Sequence, residues 1–289
     1  MKHGLDLTDA DFRLLKDLIY HQTGICLTEY KKEFLASRLR KRLASLNLNS
    51  FGEYYTYLTK HPKGQKEMTQ MISSITTGKT EFFREKEHFE FLTANVFPYF
   101  FQKATAKQRK PELYIWSAGC STGEEAYSLA MAVNDFFSIY PHWQTKILAT
   151  DIDVEALNKA KAAIYTAKEI FSLPLSYHKR YFQKIKDQNL FKVNDTLRKL
   201  IIFKHFNLST ASFAFEGKFD IIFCRNVIIY LDLIIKERAI QGFYRTLAED
   251  GFLFLGHSES LLSVNNNLFS SVALSVYRKY VSAQNSTKF

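Results

Sequence analysis

A chain of 289 residues with 46% hydrophobic and 24% charged residues is long and apolar enough for one large or two modest packed domains. No apolar stretch approaches the roughly 20 residues that span a bilayer, and the start Met1-Lys2-His3-Gly4-Leu5-Asp6 lacks a signal-peptide pattern, so a cytoplasmic protein without membrane insertion is expected. The net charge of +10 favours an acidic partner, whether nucleic acid, anionic membrane surface or acidic protein face, without choosing among them. Cys26, Cys120 and Cys224 form no C-x-x-C pair and the histidines show no ligand spacing, so reduced thiols and no metal site are expected.

Residues 1–75 read as an all-helical domain. Leu7-Thr8-Asp9-Ala10-Asp11 supplies capping residues, and Phe12, Leu15, Leu18 and Ile19 follow at helical spacing until Gly24. A second helix spans roughly Glu29 to Leu46, with Leu35, Leu39, Leu43 and Leu46 on one face. Lys31, Arg38, Lys41 and Arg42 flank that stripe and are expected to face outward. Two shorter helical patterns, 51–58 and 67–75, are split by His61-Pro62-Lys63-Gly64. Residues 76–110 read as a linker with a helix.

From 111 to 282 short apolar runs at 113–116, 147–150, 200–206, 219–224 and 252–255 alternate with helical segments, which predicts βαβ units and a mostly parallel sheet. The last run, Ala273 to Tyr277, follows 252–255 without a long helix and is expected to pair antiparallel at the end of the sheet. Residues 162–200 interrupt the alternation. Ile164-Tyr165, Tyr181-Phe182 and Phe191-Lys192-Val193 there suggest an inserted subdomain of short strands, and 283–289 reads as a polar tail.

Within that pattern, Trp116-Ser117-Ala118-Gly119-Cys120-Ser121-Thr122-Gly123-Glu124-Glu125 is a strand, a glycine loop and a helix start. Gly119 and Gly123 permit a sharp turn and close approach of a ligand. The loop is neither G-x-G-x-x-G nor a P-loop, and acids at 124 and 125 oppose a phosphate. Asp151 ends the next strand, where a carboxylate can accept from both hydroxyls of a ribose. A nucleoside with a positive or neutral end, such as S-adenosylmethionine, fits these residues. Cys224-Arg225-Asn226 and Asn207 also end strands, where open α/β sheets place ligands, although Asn207 alone reads equally as a turn residue. His257, Ser258 and Glu259 are adjacent and read as a turn, not a hydrolase triad.

Thr76-Thr77-Gly78-Lys79-Thr80-Glu81-Phe82-Phe83-Arg84-Glu85, the glycine loop, Asp151-Ile152-Asp153, Asn207-Leu208, Phe223 to Tyr230 and Gly256-His257-Ser258-Glu259-Ser260 occur in that order. Across nearly the whole chain they resemble the CheR chemotaxis receptor glutamate O-methyltransferases. The resemblance implies an α/β fold: an S-adenosylmethionine methyltransferase (Rossmann-like) domain with a small inserted β-subdomain, preceded by an all-α substrate-recognition domain. It implies methyl transfer from S-adenosylmethionine to glutamates of receptor helical bundles, giving methyl esters and S-adenosylhomocysteine in sensory adaptation. Carried over residue by residue, the cofactor contacts are Gly78, Thr80, Arg84, Glu125 alone or with Glu124, Asp151, Asn207, Leu208, Arg225 and Asn226, with 76–110 contributing to that site. Arg84 and Tyr230 are placed at the transfer site, and Lys31, Arg38, Lys41 and Arg42 become a docking face for the acidic bundle. A monomer that acts without metal or nucleic acid is expected.

The chemistry agrees with those residue types. A glutamate carboxylate, with a pKa of about 4.3, is ionised at neutral pH and needs no base, so the enzyme's task is positioning. An arginine fork suits a carboxylate, and a tyrosine hydroxyl can orient an oxygen. Taken alone, Arg84 reads as the ion-pair partner of Glu81 or Glu85, and Tyr230 as a core residue. Two positions depart from the family. Gly78 stands where asparagine is usual, so a backbone group or water replaces that side chain, affinity is lower, or the loop adopts a left-handed glycine conformation. The segment Lys184 to Leu197 lacks the glycine-rich turn of members that dock a receptor C-terminal peptide. The alternatives are a nucleic-acid methyltransferase, whose [ND]-P-P-[YF] motif is replaced here by Arg225-Asn226-Val227-Ile228, and a non-catalytic S-adenosylmethionine-binding signalling module.

Overall fold

The computed structural model describes residues 6–76, 78–210, 212–261 and 268–280. The start at 1–5, Thr77 and the expected tail at 283–289 lie outside the described residues. Helix α1 (Asp9–Thr23) begins where the Thr8 side chain accepts from the Asp11 N–H, and it stops at Gly24, whose φ is 75°. Helices α2 (Lys32–Ser45), α3 (Phe51–Lys60) and α4 (Gly64–Ile75) follow. Their apolar faces meet in one core of Phe12, Leu15, Leu35, Leu39, Phe51 and Met71. The expected stripe is buried at Leu35, Leu39 and Leu43 and only partly at Leu46. Gly64 opens α4 instead of ending a break. A Cβ there would lie 2.5 Å from the Leu58 carbonyl, so glycine allows the two helices to turn tightly.

The expected linker is part of the α/β core. Helix α5 (Lys86–Phe91), a π-helical turn Leu92–Val96 and α6 (Phe97–Thr105) bury Phe89, Leu92, Val96, Phe97 and Phe100 against the sheet. The sheet then builds through β1 (Glu112–Ala118), α7 (Glu124–Phe137), β2 (Gln144–Asp151) and α8 (Val154–Ala162). The insertion contains β3 (Ile164–Thr166), α9 (Ala167–Ile170), α10 (Leu175–Tyr181), β4 (Phe182–Lys184), β5 (Leu190–Val193) and α11 (Asp195–Arg198). The chain returns through β6 (Ile201–His205), β7 (Phe219–Cys224), α12 (Leu233–Thr246) and β8 (Leu247–Leu255), and finishes with β9 (Phe269–Ala273) and β10 (Val276–Lys279).

The order β6-β2-β1-β7-β8-β10-β9 makes a seven-stranded sheet, parallel from β6 to β8. Strand β10 is antiparallel to both β8 and β9. The expected strand from Ala273 to Tyr277 is therefore two strands. Leu274 and Ser275 form the turn between them, with Ser275 at φ 54° and Leu274 exposed. The insertion is a separate antiparallel sheet of order β3-β5-β4, as expected. Its β4–β5 turn uses Asp187 in a left-handed conformation, φ 58°, in place of glycine.

The helical domain is tied across the carboxyl ends of the parallel strands. Asp153 caps α8 through the Glu155 and Ala156 N–H groups and also accepts from Ser73 Oγ at 2.5 Å and Thr76 Oγ1 at 2.8 Å. On the other side Ile25 bridges Leu231, the Cys26 N–H donates to the Tyr230 carbonyl at 2.9 Å, and the Tyr20 hydroxyl donates to Asp232. Among the described residues no helix is long and apolar enough to cross a membrane.

Candidate active site

The parallel strands end beneath the helical domain, and the space between holds a cavity of about 680 Å³, within the range of small-molecule sites. The glycine loop forms its floor. Gly119 has φ 94°, and a Cβ there would lie 2.3 Å from Val227 Cγ2. Gly123 has φ 98° and packs against Ala160 and Tyr165. Both glycines are thus required by conformation and by space.

Asp151 lines the cavity at the end of β2. Its Oδ2 accepts from the Ser121 N–H at 2.7 Å and its Oδ1 from the Asp153 N–H at 2.8 Å. Burial pushes this carboxyl upward while the backbone donors oppose that shift. Each oxygen keeps acceptor capacity for a further donor, such as a ribose hydroxyl.

Glu125 and Arg225 both line the cavity but bond first to each other. Glu125 Oε2 accepts from Arg225 Nε at 2.8 Å, and Oε1 accepts from Ser117 Oγ at 2.7 Å. Arg225 Nη1 donates to the Arg84 carbonyl at 2.6 Å, and lies 3.4 Å from Glu85 Oε2 and 3.2 Å from His88 Nδ1. The expected pair of cofactor contacts is therefore also the brace that closes one wall. Of the two acids, Glu124 is the one that turns away from the cavity. It is 3% exposed, is not among the cavity residues, and accepts from Thr122 Oγ1 at 2.6 Å on the far side of the first turn of α7. Successive helical positions point about 100° apart, so only one of the two acids can face the ligand.

Gly78, Thr80 and Arg84 also line the cavity. Arg84 Nη1 donates to the Lys79 carbonyl at 3.0 Å, and among the described residues Arg84 makes no ion pair with Glu81 or Glu85. Gly78 is not left-handed, and a Cβ there would meet only Ser121 Oγ at 3.1 Å. The Gly78 carbonyl accepts from that same hydroxyl at 3.3 Å.

Asn207 and Leu208 also line the cavity. The Asn207 side chain is occupied as a turn residue. Its Oδ1 accepts from the Ser209 N–H at 2.9 Å, and its Nδ2 donates to the Gln22 carbonyl of α1 at 2.9 Å. Asn226 is left-handed, φ 59°, and its Nδ2 lies 3.3 Å from Glu85 Oε1. Tyr230 lines the mouth from the helical domain's side of the cavity, with Lys31 Nζ 5.7 Å from its ring centroid.

Of the four expected docking cations, Lys31, Arg38 and Lys41 are exposed as foreseen. Lys31 is also a cavity residue, held on a 3₁₀ turn ahead of α2. Arg42 is a correction. It donates to both oxygens of the buried Glu67, at 2.8 and 2.7 Å, and is itself half-buried.

Sequence alone assigns no site role to four groups near the Arg225 wall. Glu85, His88 and His257 bring ligand atoms within 4.8 Å of one another, although their spacing showed no pattern. His88 Nδ1 faces Arg225 and Nε2 faces the Leu274 carbonyl, so both ring nitrogens are engaged. Burial, helped by Arg225, lowers the His88 pKa to about 4, which keeps the ring neutral. Glu259, read as part of a turn, is 2% exposed and receives backbone N–H groups from both sides of the β7–β8 strand ends. Only the pairing of β7 with β8 brings those groups together.

The set fits a cationic nucleoside. Asp151 with its open acceptor capacity, a neutralised ion pair and the apolar Ile152, Phe206 and Leu208 are among the walls. Residues 10–76 match the family model described as CheR methyltransferase, all-alpha domain, and 78–278 match CheR methyltransferase, SAM binding domain. The chain is 37% identical over 266 residues to a chemotaxis protein methyltransferase of Borreliella burgdorferi, covering 92% of this chain and 93% of that one. It is 38% identical over 263 residues to the chemotaxis protein methyltransferase of Escherichia coli, covering 90% and 87%. A Pseudomonas aeruginosa chemotaxis protein methyltransferase 2 is 36% identical over 272 residues, 93% of each chain.

Proposed function

This chain belongs to the CheR methyltransferase family, and from that premise we propose how its cavity methylates glutamate side chains of chemotaxis receptors with S-adenosylmethionine, as in sensory adaptation. The observation that carries the reading is convergence. Asp151, Arg84 and Tyr230, from three distant segments, face one cavity closed by the helical domain. S-adenosylmethionine bound there supplies a methyl on a positively charged sulphur.

In this reading Asp151 accepts from the ribose hydroxyls, and Leu208 and Phe206 pack against the base. The Glu125–Arg225 pair and Asn226 shape the wall beside the cofactor's amino-acid end, and Thr80 and the Gly78 backbone line another edge. The Arg84 guanidinium holds the glutamate carboxylate, and the Tyr230 hydroxyl orients the attacking oxygen. Neither residue needs to move a proton, because the nucleophile is already ionised. The apolar walls exclude water, which strengthens both interactions. Residues 1–75 recognise the receptor, and 76–110 form part of the cofactor wall. The exposed Arg38 and Lys41, with Lys31 at the mouth, draw an acidic bundle toward the cavity. The enzyme acts as a monomer.

The test is transfer of a radiolabelled methyl group from S-adenosylmethionine to receptor-containing membranes. Label should enter the receptor and be released as methanol by mild alkali, as a carboxylate ester is. Alkali-stable label, or label on nucleic acid, would identify another acceptor. Tight cofactor binding with no transfer would identify a non-catalytic module.

A further inference from the structure

Glu259 does not line the cavity, yet its carboxylate receives more backbone donors than any acid discussed above. Oε2 accepts from the Gly256 and Asn226 N–H groups, both at 2.7 Å. Oε1 accepts from the Val227 N–H at 2.9 Å and the Ile229 N–H at 3.3 Å. Among the described residues no cation pairs with it. We propose that Glu259 is a positioning residue for methyl transfer, whose carboxylate holds backbone 226–229 in the shape that presents Asn226 and Tyr230 to the cavity.

The argument begins with the chain leaving β7. After Cys224 the strand ends, Asn226 turns left-handed, and the N–H groups of 226, 227 and 229 have left the sheet ladder. Asparagine enters the left-handed region more readily than other non-glycine residues, and the part-buried N–H groups that have left the ladder need an acceptor to hold them in one arrangement. One ionised carboxylate answers three of these donors together. The Asn226 side chain is held from the other direction by Glu85, so the residue is clamped between two acids, one on its backbone and one on its amide.

The strand end leaves little slack. A Cβ at Gly256 would lie 2.6 Å from Asn226 Nδ2 and 2.9 Å from Glu259 Oε2. Burial pushes the Glu259 carboxyl upward and the four N–H groups oppose that shift. Beyond Asn226, the short 3₁₀ turn Ile228–Tyr230 carries the tyrosine to the mouth. Glu259 therefore sets the path that delivers one residue to the cofactor wall and another to the transfer site.

This inference rests on the receptor-methylation reading, and wild-type transfer in the same assay establishes that reading separately. Glu259→Gln preserves side-chain size but turns one acceptor oxygen into a donating amide that faces N–H groups. The expected result, per folded molecule, is a fall in kcat of about 10²-fold, the scale of a displacement of about 1 Å at a reacting centre, with receptor KM unchanged. A purely structural role would lower the melting temperature and leave kcat per folded molecule intact, and that outcome overturns the proposal. If Glu259→Gln does not fold at the assay temperature, Glu259→Asp decides. It keeps the charge on a shorter arm and should fold with kcat reduced about tenfold at unchanged receptor KM. Wild-type kcat in a folded Glu259→Asp enzyme would overturn the proposal equally.

Discussion

The helical domain and the wall of the cavity each set an arginine on a buried glutamate, with different results. Arg42 spends Nε and Nη2 on the two oxygens of Glu67, and the Tyr54 hydroxyl adds a third bond to that carboxylate at 2.9 Å. The group is closed on itself. Arg225 spreads over Glu125, Glu85, His88 and a carbonyl, and its neighbours open onto the cavity. The pairing chemistry is the same in both regions. Whether the pair lines the cavity separates a structural ion pair from one in a binding site.

The largest test compares the two directly. Breaking a buried pair leaves an uncompensated charge and costs about 3–5 kcal/mol. Arg225→Ala should lose stability on that scale and also lose cofactor binding. Arg42→Ala should lose about 3 kcal/mol, with cofactor affinity unchanged per folded molecule. Wild-type affinity in the first variant, or weakened affinity in the second, measured by titration calorimetry, would erase the distinction.

A second test uses the ring that only the cavity network contains. His88 has a pKa of about 4 in the fold against an unfolded value of 6.5. Between those values the unfolded chain binds the extra proton, so stability falls as pH drops from 6.5 toward 4. The full effect is about 3 kcal/mol at about 1.4 kcal/mol per pKa unit. His88→Gln should flatten that part of the melting-temperature profile relative to wild type, and parallel profiles would count against it.

Asp151 sharpens the contrast between a spent acid and an open one. Asp151→Ala should lose about 2–3 kcal/mol of cofactor binding, as for hydrogen bonds to a charged group. Unchanged affinity would remove Asp151 from the ribose. The smallest effect belongs to the exposed cations. With Arg42 committed to Glu67, the docking test is Arg38→Glu with Lys41→Glu. This pair should raise apparent receptor KM about threefold at low salt, fading toward 0.15 M, with cofactor affinity intact. An unaltered KM at low salt would leave that face merely solvated.

Much of the α/β domain was legible because strand and helix periods differ. The runs at 147–150 and 219–224 lie within β2 and match β7. The final hairpin was not legible, because a two-residue turn at Leu274-Ser275 interrupts an apolar run without glycine or proline. The segment 76–110 looked like a linker because its helices are short, although Phe89, Phe97 and Phe100 anchor it in the main core. At the site, Asp151 and the glycine loop were readable from their places at strand ends. The choice between Glu124 and Glu125 was not, nor was the commitment of Asn207 to α1.

By itself the sequence determined the sheet's alternation, the helical domain's stripe, the loop that requires Gly119 and Gly123, and the family. Those features are local, set by periodicity, backbone conformation and motif order. Only the tertiary structure decided which charges are spent. Arg42 with Glu67, Arg225 with Glu125 and Glu85, and Glu259 with the backbone at 226–229 pair residues at least 25 positions apart. The energy of such a pair depends on burial and on what its last face meets, and neither exists until distant segments have packed together.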